Sequence, residues 1–201
     1  MRILMLSWEY PPHVVGGLGK HVAELLPALA RNADIHLVTP VPTGDASVQE
    51  FGGFTVHHVP AANAINDDFY QRVLDTNELL YDACQDVIAR YGPFDLVHTH
   101  DWLTSFAAIR VKTIYKLPLL ATFHATERGR GRGSLGNAGA YRVNDAEWQL
   151  SFESWRVICC TAWVLTSNSR SRFSWATTIP MRPSGPCWEP GCSRVPTAPR
   201  R

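Results

Sequence analysis

Residues 2–29, RILMLSWEYPPHVVGGLGKHVAELLPAL, join a short apolar run to an amphipathic segment through a paired proline and three closely spaced glycines. The run RILMLSW predicts a buried strand, because its apolar residues are continuous over the length of a strand. Beyond the glycines the apolar residues recur with helical spacing, at Leu18, Val22, Leu25, Leu26 and Leu29. We therefore predict a βα unit whose two elements are joined by the glycine turn.

The same alternation continues along the chain. Further strands are predicted in DIHLVTP (closed by Pro40), FTVHHVP (after a Gly52-Gly53 turn), FDLVHTH, LPLLATFHA and RVICC. Helices are predicted in NDDFYQRVLDTNELLYDACQDVIARYG (with Asn66 as N-cap), LTSFAAIRVKTIYK and NDAEWQLSFESW. Strands that alternate with helices predict an α/β fold with a Rossmann-like, doubly wound parallel sheet. Ligands of such sheets bind at the carboxyl ends of the strands.

Composition narrows the class of protein. A chain of 201 residues with 45% hydrophobic content has material for one core, and its net charge of +1 gives no general attraction to nucleic acid or anionic membrane. No run approaches the roughly 18 apolar residues of a membrane span. The first apolar run is too short, and is followed too soon by the acidic Glu9, to resemble a secretory signal. The five cysteines include no C-x-x-C spacing. We expect a cytoplasmic protein whose cysteines are buried thiols.

The composition changes abruptly near Cys160. Of the 18 acidic residues only Glu189 follows it, whereas residues 161–201 are rich in arginine, proline, serine and tryptophan. This tail has neither a helical nor a strand period. We predict a domain over residues 1–160 and an irregular or disordered tail over 161–201, whose sequence resembles coding DNA translated in the wrong frame. A genuine flexible extension is the alternative.

The glycine turn is a candidate anion site. A helix that begins at Gly17 or Leu18 directs unpaired N–H groups towards a ligand above the first strand, and glycines permit close approach. The stretch GGLGK matches neither common phosphate-binding fingerprint. A phosphate site and a plain tight turn therefore remain equal alternatives, and Lys20 and His21 are expected to face solvent.

The stretch HTHDW ends the strand that begins at Phe94. His98, His100 and Asp101 resemble part of a metal cluster, to which His124 would have to add a ligand. The simpler interpretation places His98 on the opposite face of the strand, as a packed polar residue. His100 and Asp101 then form an accessible hydrogen-bonding pair, with Trp102 as a stacking surface for a sugar.

The stretch TFHATERGRGRG places His124 at another strand end, where it is able to donate a hydrogen bond to a substrate hydroxyl. The loop after it carries Glu127, Arg128, Arg130 and Arg132 on a glycine-rich backbone. This loop is either a flexible cover over a ligand or a solvated surface turn. Nucleic acid is not expected as a partner, since no aromatic residues interleave with the arginines.

Together, MLSWEYPPHVVGGLGKHVAELLPAL, FDLVHTHDWLTSFAA and ATFHATERGRGRGS resemble, in this order, the amino-terminal domain of glycogen and starch synthase-like glycosyltransferases. These are retaining enzymes of the two-domain GT-B group, which includes families 4 and 5. The resemblance covers about residues 1–160. It implies transfer of a glucosyl unit from ADP-glucose or UDP-glucose, as substrate, to an α-glucan or other sugar acceptor, with no cofactor or metal.

The resemblance also implies roles for individual residues. The glycine loop that closes over the donor diphosphate corresponds to Gly16, Gly17, Leu18 and Gly19. His124 corresponds to the catalytic histidine that contacts the transferred sugar. Asp101 is predicted to be a second catalytic residue. The cleft for sugar and acceptor would be lined by His100, Trp102, Glu127 and Arg128. One departure is Val14, which stands where some synthases have a lysine that reaches the donor.

The carboxyl-terminal GT-B domain supplies the family's nucleotide pocket, basic clamp and E-x7-E pair. Those features are not recognised in this sequence, and Glu147 and Glu153, six residues apart, do not substitute for the pair. We therefore expect the chain alone to be inactive or nearly so. Two alternatives remain: a non-enzymatic module that binds a carbohydrate or a partner, and a metallohydrolase built on His98, His100 and His124.

Overall fold

The computed structural model describes residues 1–63, 68–159 and 178–180, the last three as backbone only. Its strands are β1 (Arg2–Leu6), β2 (Asp34–Val41), β3 (Ser47–Phe51), β4 (Phe54–Pro60), β5 (Leu96–His100), β6 (Leu119–Phe123), β7 (Arg156–Cys159) and β8 (Thr178–Pro180). Its helices are α1 (Gly17–Leu29), α2 (Phe69–Tyr91), α3 (Ser105–Tyr115), α4 (Glu127–Arg130) and α5 (Ala138–Glu153). A single 3-10 turn over Trp102–Thr104 precedes α3.

The strands form one sheet in the order β3-β4-β2-β1-β5-β6-β7-β8, with β3 and β8 antiparallel to their neighbours and the strands between them parallel. Side chains of β1 alternate between two cores. Ile3 and Met5 pack with residues of α1, whereas Leu4 and Leu6 pack with residues of α2 and α3. Because a strand buried on both faces needs helices on both sides, this pattern is that of a doubly wound sheet. The predicted α/β, Rossmann-like fold is confirmed.

All six predicted strands are present, but β3 was missed. It pairs with β4 through a turn in which Gly53 has a φ of +104°, a conformation that favours glycine. All five of its residues, SVQEF, are exposed. An exposed edge strand carries no continuous apolar signal, and so periodicity did not reveal it. The prediction that Pro40 ends β2 was also wrong by one residue, since the strand continues to Val41.

Two helices begin where the sequence analysis did not place them. The predicted N-cap Asn66 lies outside the described residues, and α2 is capped by Asp68, whose carboxylate accepts hydrogen bonds from the amides of Tyr70 and Gln71. Helix α5 begins at Ala138, six residues before the predicted start, because the Asn137 side chain caps it through the amide of Ala140. Both starts follow the ordinary preference of Asp and Asn for the N-cap position.

Most of the tail over 161–201 lies outside the described residues, and so does Cys160 at its predicted boundary. Within it, Thr178–Pro180 forms β8 and pairs with β7. The prediction of an irregular tail is therefore wrong for these three residues. The boundary at residue 160 stays a prediction. In the described part of the chain, no helix has both the length and the apolar character needed to cross a bilayer.

Sheet order decides which motifs meet. Strands β1, β5 and β6 are neighbours, with Leu6 beside Thr99 and His100 beside Thr122. The glycine turn follows β1, HTHDW ends β5 and TFHA ends β6. All three motifs therefore lie at one edge of the sheet, at the carboxyl ends of adjacent parallel strands.

Candidate active site

Three histidines from three elements lie in contact at this edge. The Nδ1 atom of His100 is 3.0 Å from Nε2 of His124, and these two rings are stacked with centroids 5.3 Å apart. His21, near the start of α1, has its ring centroid 4.9 Å from that of His124 and 5.9 Å from that of His100. The expectation that His21 faces solvent was therefore wrong, although Lys20 is exposed as predicted.

The three glycines of the turn differ in what surrounds them. A Cβ added at Gly19 would lie 2.9 Å from a Val14 methyl group and 3.0 Å from the Glu9 Cβ, so packing within the chain disfavours any larger residue there. No atom lies within 4 Å of the Cβ position at Gly16 or Gly17. Neither of these two has a positive φ. Their absent side chains leave open space in front of the amino terminus of α1.

An acidic side chain occupies this amino terminus. The Oε2 atom of Glu9 accepts hydrogen bonds from the amides of Val15 at 3.1 Å, Gly16 at 3.0 Å and Gly19 at 3.3 Å. The turn therefore holds an anion in the way that helix amino termini favour, through unpaired N–H groups and the positive end of the helix dipole. Sequence reasoning missed Glu9. The available signal was an acidic residue two positions before the paired proline that leads into a helix start.

The histidines of β5 form one column. His98 and His100 have ring centroids 4.4 Å apart, and so the expectation that they occupy opposite faces was wrong, because residues two apart in a strand share a face. His98 donates to or accepts from the Thr122 hydroxyl at 2.9 Å. Burial lowers the pKa of His98 to about 3 and that of His124 to about 4, and it holds the pKa of His100 well below its usual range. The column is therefore uncharged at neutral pH.

Asp101 links the ends of β5 and β6. Its Oδ1 atom accepts a hydrogen bond of 2.7 Å from the His124 amide, and its own amide donates to the Thr122 carbonyl. The residue has a φ of +58° and a ψ of −178°, a combination that residues other than glycine rarely adopt. Burial raises the pKa of its carboxyl group to about 6, against the lowering effect of the hydrogen bonds from the amides of His124 and Ala125. These contacts fix where His124 sits.

Trp102 does not face the cleft. Its side chain is 4% exposed, and its ring stacks on Tyr70 of α2 at a centroid distance of 5.5 Å, with Phe69 at its edge. The predicted role as a stacking surface for a sugar is contradicted by this burial, because both partners on α2 already cover the ring. Trp102 instead anchors the HTHDW segment to α2.

The arginine-rich loop has defined structure. Thr126 caps α4, and the Glu127 amide donates to both carboxylate oxygens of Glu147 on α5. The Arg128 Nε atom donates to the Asn144 side chain at 3.0 Å. The loop is thus held against α5, so the flexible cover, one of the two alternatives, is not the arrangement observed. The Glu127 side chain pairs with Arg130, and so neither Glu127 nor Arg128 is an uncommitted ligand for a sugar.

The three side chains suited to bind a metal ion are not the three that were expected. The alternative had grouped His98, His100 and His124, but His98 is engaged with Thr122. The structure places His21 in the third position instead, and the three ligand atoms of His21, His100 and His124 lie within 4.8 Å of one another.

Comparison with known proteins agrees with this architecture. A model of the protein family described as Glycosyltransferase Family 4 matches residues 15–174, a span that contains the glycine turn and both histidine motifs. The chain belongs to glycosyltransferase family 4. It is 35% identical over 178 residues to a glycogen synthase of Mycobacterium tuberculosis, an alignment that covers 81% of this chain. It is 29% identical over 160 residues to an uncharacterized glycosyltransferase of Methanocaldococcus jannaschii.

This family 4 chain spans well under half the length of these relatives, 42% of the glycogen synthase and 39% of the archaeal protein. The sucrose-phosphate synthase of Thermosynechococcus elongatus superposes with a TM-score of 0.59 over 75% of this chain and 39% of its own, at 18% sequence identity. At that identity the likeness concerns the fold alone. It agrees with the Rossmann-like half of a GT-B architecture.

Proposed function

We propose that this chain is the amino-terminal part of a retaining glycosyltransferase that transfers a glucosyl or other hexosyl unit from a nucleotide sugar to an α-glucan or related sugar acceptor. The observation that supports it best is the contact between His21 of α1 and His124 beyond β6, with ring centroids 4.9 Å apart. Through this contact, one imidazole ring, that of His21, separates the amino terminus of α1 from His124. The amino terminus is suited to a diphosphate, and His124 corresponds to the sugar-contacting histidine of the family.

In the proposed complex the donor diphosphate lies in the open space before Gly16 and Gly17, and backbone N–H groups of the turn donate to it. Leu18 and Gly19 form the first helical turn behind these amides. The Glu9 carboxylate must leave the amides that it occupies, since two anions cannot share the same donors at low cost. Glu9 thus holds the turn in shape until the donor arrives.

His124 is the proposed catalytic contact, through a hydrogen bond from its ring to a hydroxyl of the transferred sugar. Asp101 would act as a positioning residue, because its carboxylate holds the His124 amide. The bond between the anomeric carbon and the diphosphate oxygen breaks, a bond to the acceptor oxygen forms on the same face, and the acceptor proton passes to the departing phosphate. The largest catalytic contribution would be stabilisation of the charge that develops on that diphosphate.

The second domain carries half of this chemistry in the family, and the chain spans 42% of the glycogen synthase it matches. We therefore propose that the 201-residue protein alone transfers no sugar. The test is incubation of the purified chain with ADP-glucose or UDP-glucose and glycogen, with release of the nucleoside diphosphate as the measurement. Turnover above the rate of a boiled control contradicts the inactivity of the chain, but not the assignment to a glycosyltransferase.

The assignment to a glycosyltransferase is tested with the coding DNA and the protein that it encodes. The region beyond the codon for Cys160 is resequenced and translated in all three forward frames, and the longest continuous product is expressed. We expect a second α/β domain with a basic clamp and an E-x7-E pair, and transfer that retains the anomeric configuration by NMR. Frames that all stop early, or a two-domain product without transfer from any nucleotide sugar, contradict the proposal.

A carbohydrate-binding module without catalysis is the second candidate. It is favoured by the carboxylate of Glu9, which fills the amides that a donor diphosphate would need. Retarded migration of the 201-residue chain in gels that contain glycogen, together with no transfer by the resequenced product, would support the module over the enzyme.

A further inference from the structure

The side chains of His21, His100 and His124 form a cluster of potential metal ligands, a feature that the proposed sugar transfer does not require. Its three side chains come from α1, from the end of β5 and from the residue after β6, so three separate elements hold them. One ligand atom from each lies within 4.8 Å of the others, and this is the one such group of three or more metal-ligating side chains within residues 1–63 and 68–159.

We propose that His21, His100 and His124 form a binding site for one divalent transition-metal ion of the zinc and cobalt class. Imidazole nitrogen is a preferred ligand of these ions, and three protein ligands with an open fourth position are the pattern of a tetrahedral site that also holds water. The site goes beyond the proposed transferase, which needs no metal. It is measured without any nucleotide sugar, so its failure leaves the proposed function untouched.

The distances fit with small adjustments. Two nitrogens bound at about 2.0–2.1 Å in a tetrahedral site lie about 3.3 Å apart. The His100 Nδ1 and His124 Nε2 atoms are already 3.0 Å apart, and the hydrogen bond between them is the one that a metal replaces. His21 and His124 are only partly buried, and so their rings can rotate to close the remaining distance.

The protons balance without release to solvent. Each neutral imidazole carries one proton and one lone pair. When the metal takes the lone pairs of His100 Nδ1 and His124 Nε2, the proton of each ring resides on its other nitrogen. In the described part of the chain, the His100 side chain is fully buried and its Nε2 atom has no hydrogen-bond partner. Coordination through Nδ1 places the His100 proton on this buried Nε2 atom, and the metal–nitrogen bonds must exceed the cost of leaving that N–H without an acceptor.

A second histidine pair shows that close rings alone do not make this site. His36 Nδ1 and His57 Nε2 are also 3.0 Å apart, but they belong to no group of three metal-ligating side chains among the described residues. The third imidazole, supplied by α1, distinguishes the cluster at the carboxyl edge.

The proposal is tested by titration of the untagged 201-residue chain with Co²⁺ alone, after alkylation of its accessible cysteines so that thiolates do not take the metal. Four-coordinate cobalt shows intense visible d–d absorption. We expect these bands to saturate at one equivalent and to disappear when Zn²⁺ is added. His21→Gln and His124→Gln should each weaken binding at least tenfold, whereas the matched control His13→Gln, outside the cluster, should bind as the unaltered chain does.

Circular dichroism and the thermal unfolding midpoint show whether each variant is folded. Both substituted histidines are partly exposed, and so the folded state should persist. Saturation well below one equivalent, only the weak bands of six-coordinate cobalt, or folded His21→Gln and His124→Gln proteins that bind cobalt with unchanged affinity would each overturn the proposed site.

Discussion

The pairs His36–His57 and His100–His124 have the same local geometry in two regions of the sheet. Each joins Nδ1 of one ring to Nε2 of the other at 3.0 Å, and each connects two adjacent parallel strands or their ends. The first pair lies along β2 and β4, against Tyr91 at 4.4 Å from the His36 ring. The second lies at the carboxyl edge beside α1. Position along the strands, and not ring geometry, decides which pair is able to meet a ligand.

The pKa values of the histidines do not distinguish the two pairs either. Burial lowers the pKa of His57 to about 4, with further lowering by His36, Arg90 and His58, and burial likewise lowers the pKa of His124 to about 4. A shifted histidine pKa is therefore as typical of a packed core position as of a candidate site. We expect the two pairs to differ instead in their effects on activity and on stability.

The largest expected effect concerns transfer by the full resequenced product. His124→Gln should lower kcat/KM about 100- to 1,000-fold, because a contact to the reacting sugar is lost, while the unfolding midpoint changes little. His57→Gln, within the core pair, should lower stability and leave kcat/KM near that of the unaltered enzyme. Initial rates of nucleotide release and thermal unfolding measure the two quantities. Equal losses of activity in the two variants would remove the proposed distinction.

The next effect concerns acid stability and the core pair. Since folding lowers the pKa of His57, the unfolded chain binds more protons than the folded one between about pH 6.5 and 4. Its contribution to stability is present above about pH 6.5 and is lost as the pH falls towards 4. The loss should be on the order of 2–3 kcal/mol.

Denaturant unfolding at pH 7 and at pH 4.5 measures this loss. His57→Gln should have a smaller difference in unfolding free energy between the two pH values than the unaltered chain. The difference between the two proteins reports His57 together with its hydrogen-bonded neighbour His36, because the more distant histidines contribute equally to both proteins. An identical pH dependence in both proteins is incompatible with a buried, neutral His57.

The third effect concerns the different consequences of substituting Gly19 and Gly17 in the turn that leads into α1. Gly19→Ala should lower the unfolding free energy by about 1–2 kcal/mol, because the added methyl group meets Val14 and the Glu9 Cβ at 2.9 and 3.0 Å. Gly17→Ala, whose Cβ meets no atom, should leave stability unchanged or slightly higher.

In the full product Gly17→Ala should nevertheless raise KM for the donor, since the methyl group enters the space proposed for the diphosphate. Steady-state kinetics at saturating acceptor measures KM. A normal KM in the Gly17→Ala protein would show that the diphosphate does not lie in that space.

The smallest effect concerns the charge at Glu9. Glu9→Gln retains an acceptor oxygen for the three amides but removes the negative charge, so stability should change by less than about 1 kcal/mol. The affinity of the 201-residue chain for ADP, measured by calorimetry at low salt, should rise a fewfold. Weaker binding in the variant would mean that the Glu9 carboxylate organises the turn for the ligand and does not compete with it.

Much of the fold was predictable because its elements are strongly patterned. The strands of the parallel sheet are short apolar runs, and α1 and α2 have a regular apolar spacing, so local sequence indicates them directly. The exposed strand β3 and the early start of α5 have no such pattern. Edge pairing with β4 creates the first, and the Asn137 side chain decides the second.

The site was predicted in part. His100, His124 and the glycine turn were placed correctly at the strand ends, since strand order follows from the βα alternation. Trp102 was misplaced because its neighbours Tyr70 and Phe69 are more than 30 positions away in the sequence. The contributions of His21 and Glu9 were missed for a similar reason, because they depend on how α1 and the loop before it pack.

By itself the sequence determined an α/β domain, the positions of the motifs at the carboxyl ends of its strands, and the motifs that indicate glycosyltransferase family 4. These features are local, since they depend on periodicity and on residues near one another in the chain. Only the tertiary structure decided that Glu9 occupies the glycine turn, that His21 joins His100 and His124, and that Trp102 is buried. Such contacts join residues from different elements, and their distances are set by packing of helices on the sheet, which no local pattern encodes.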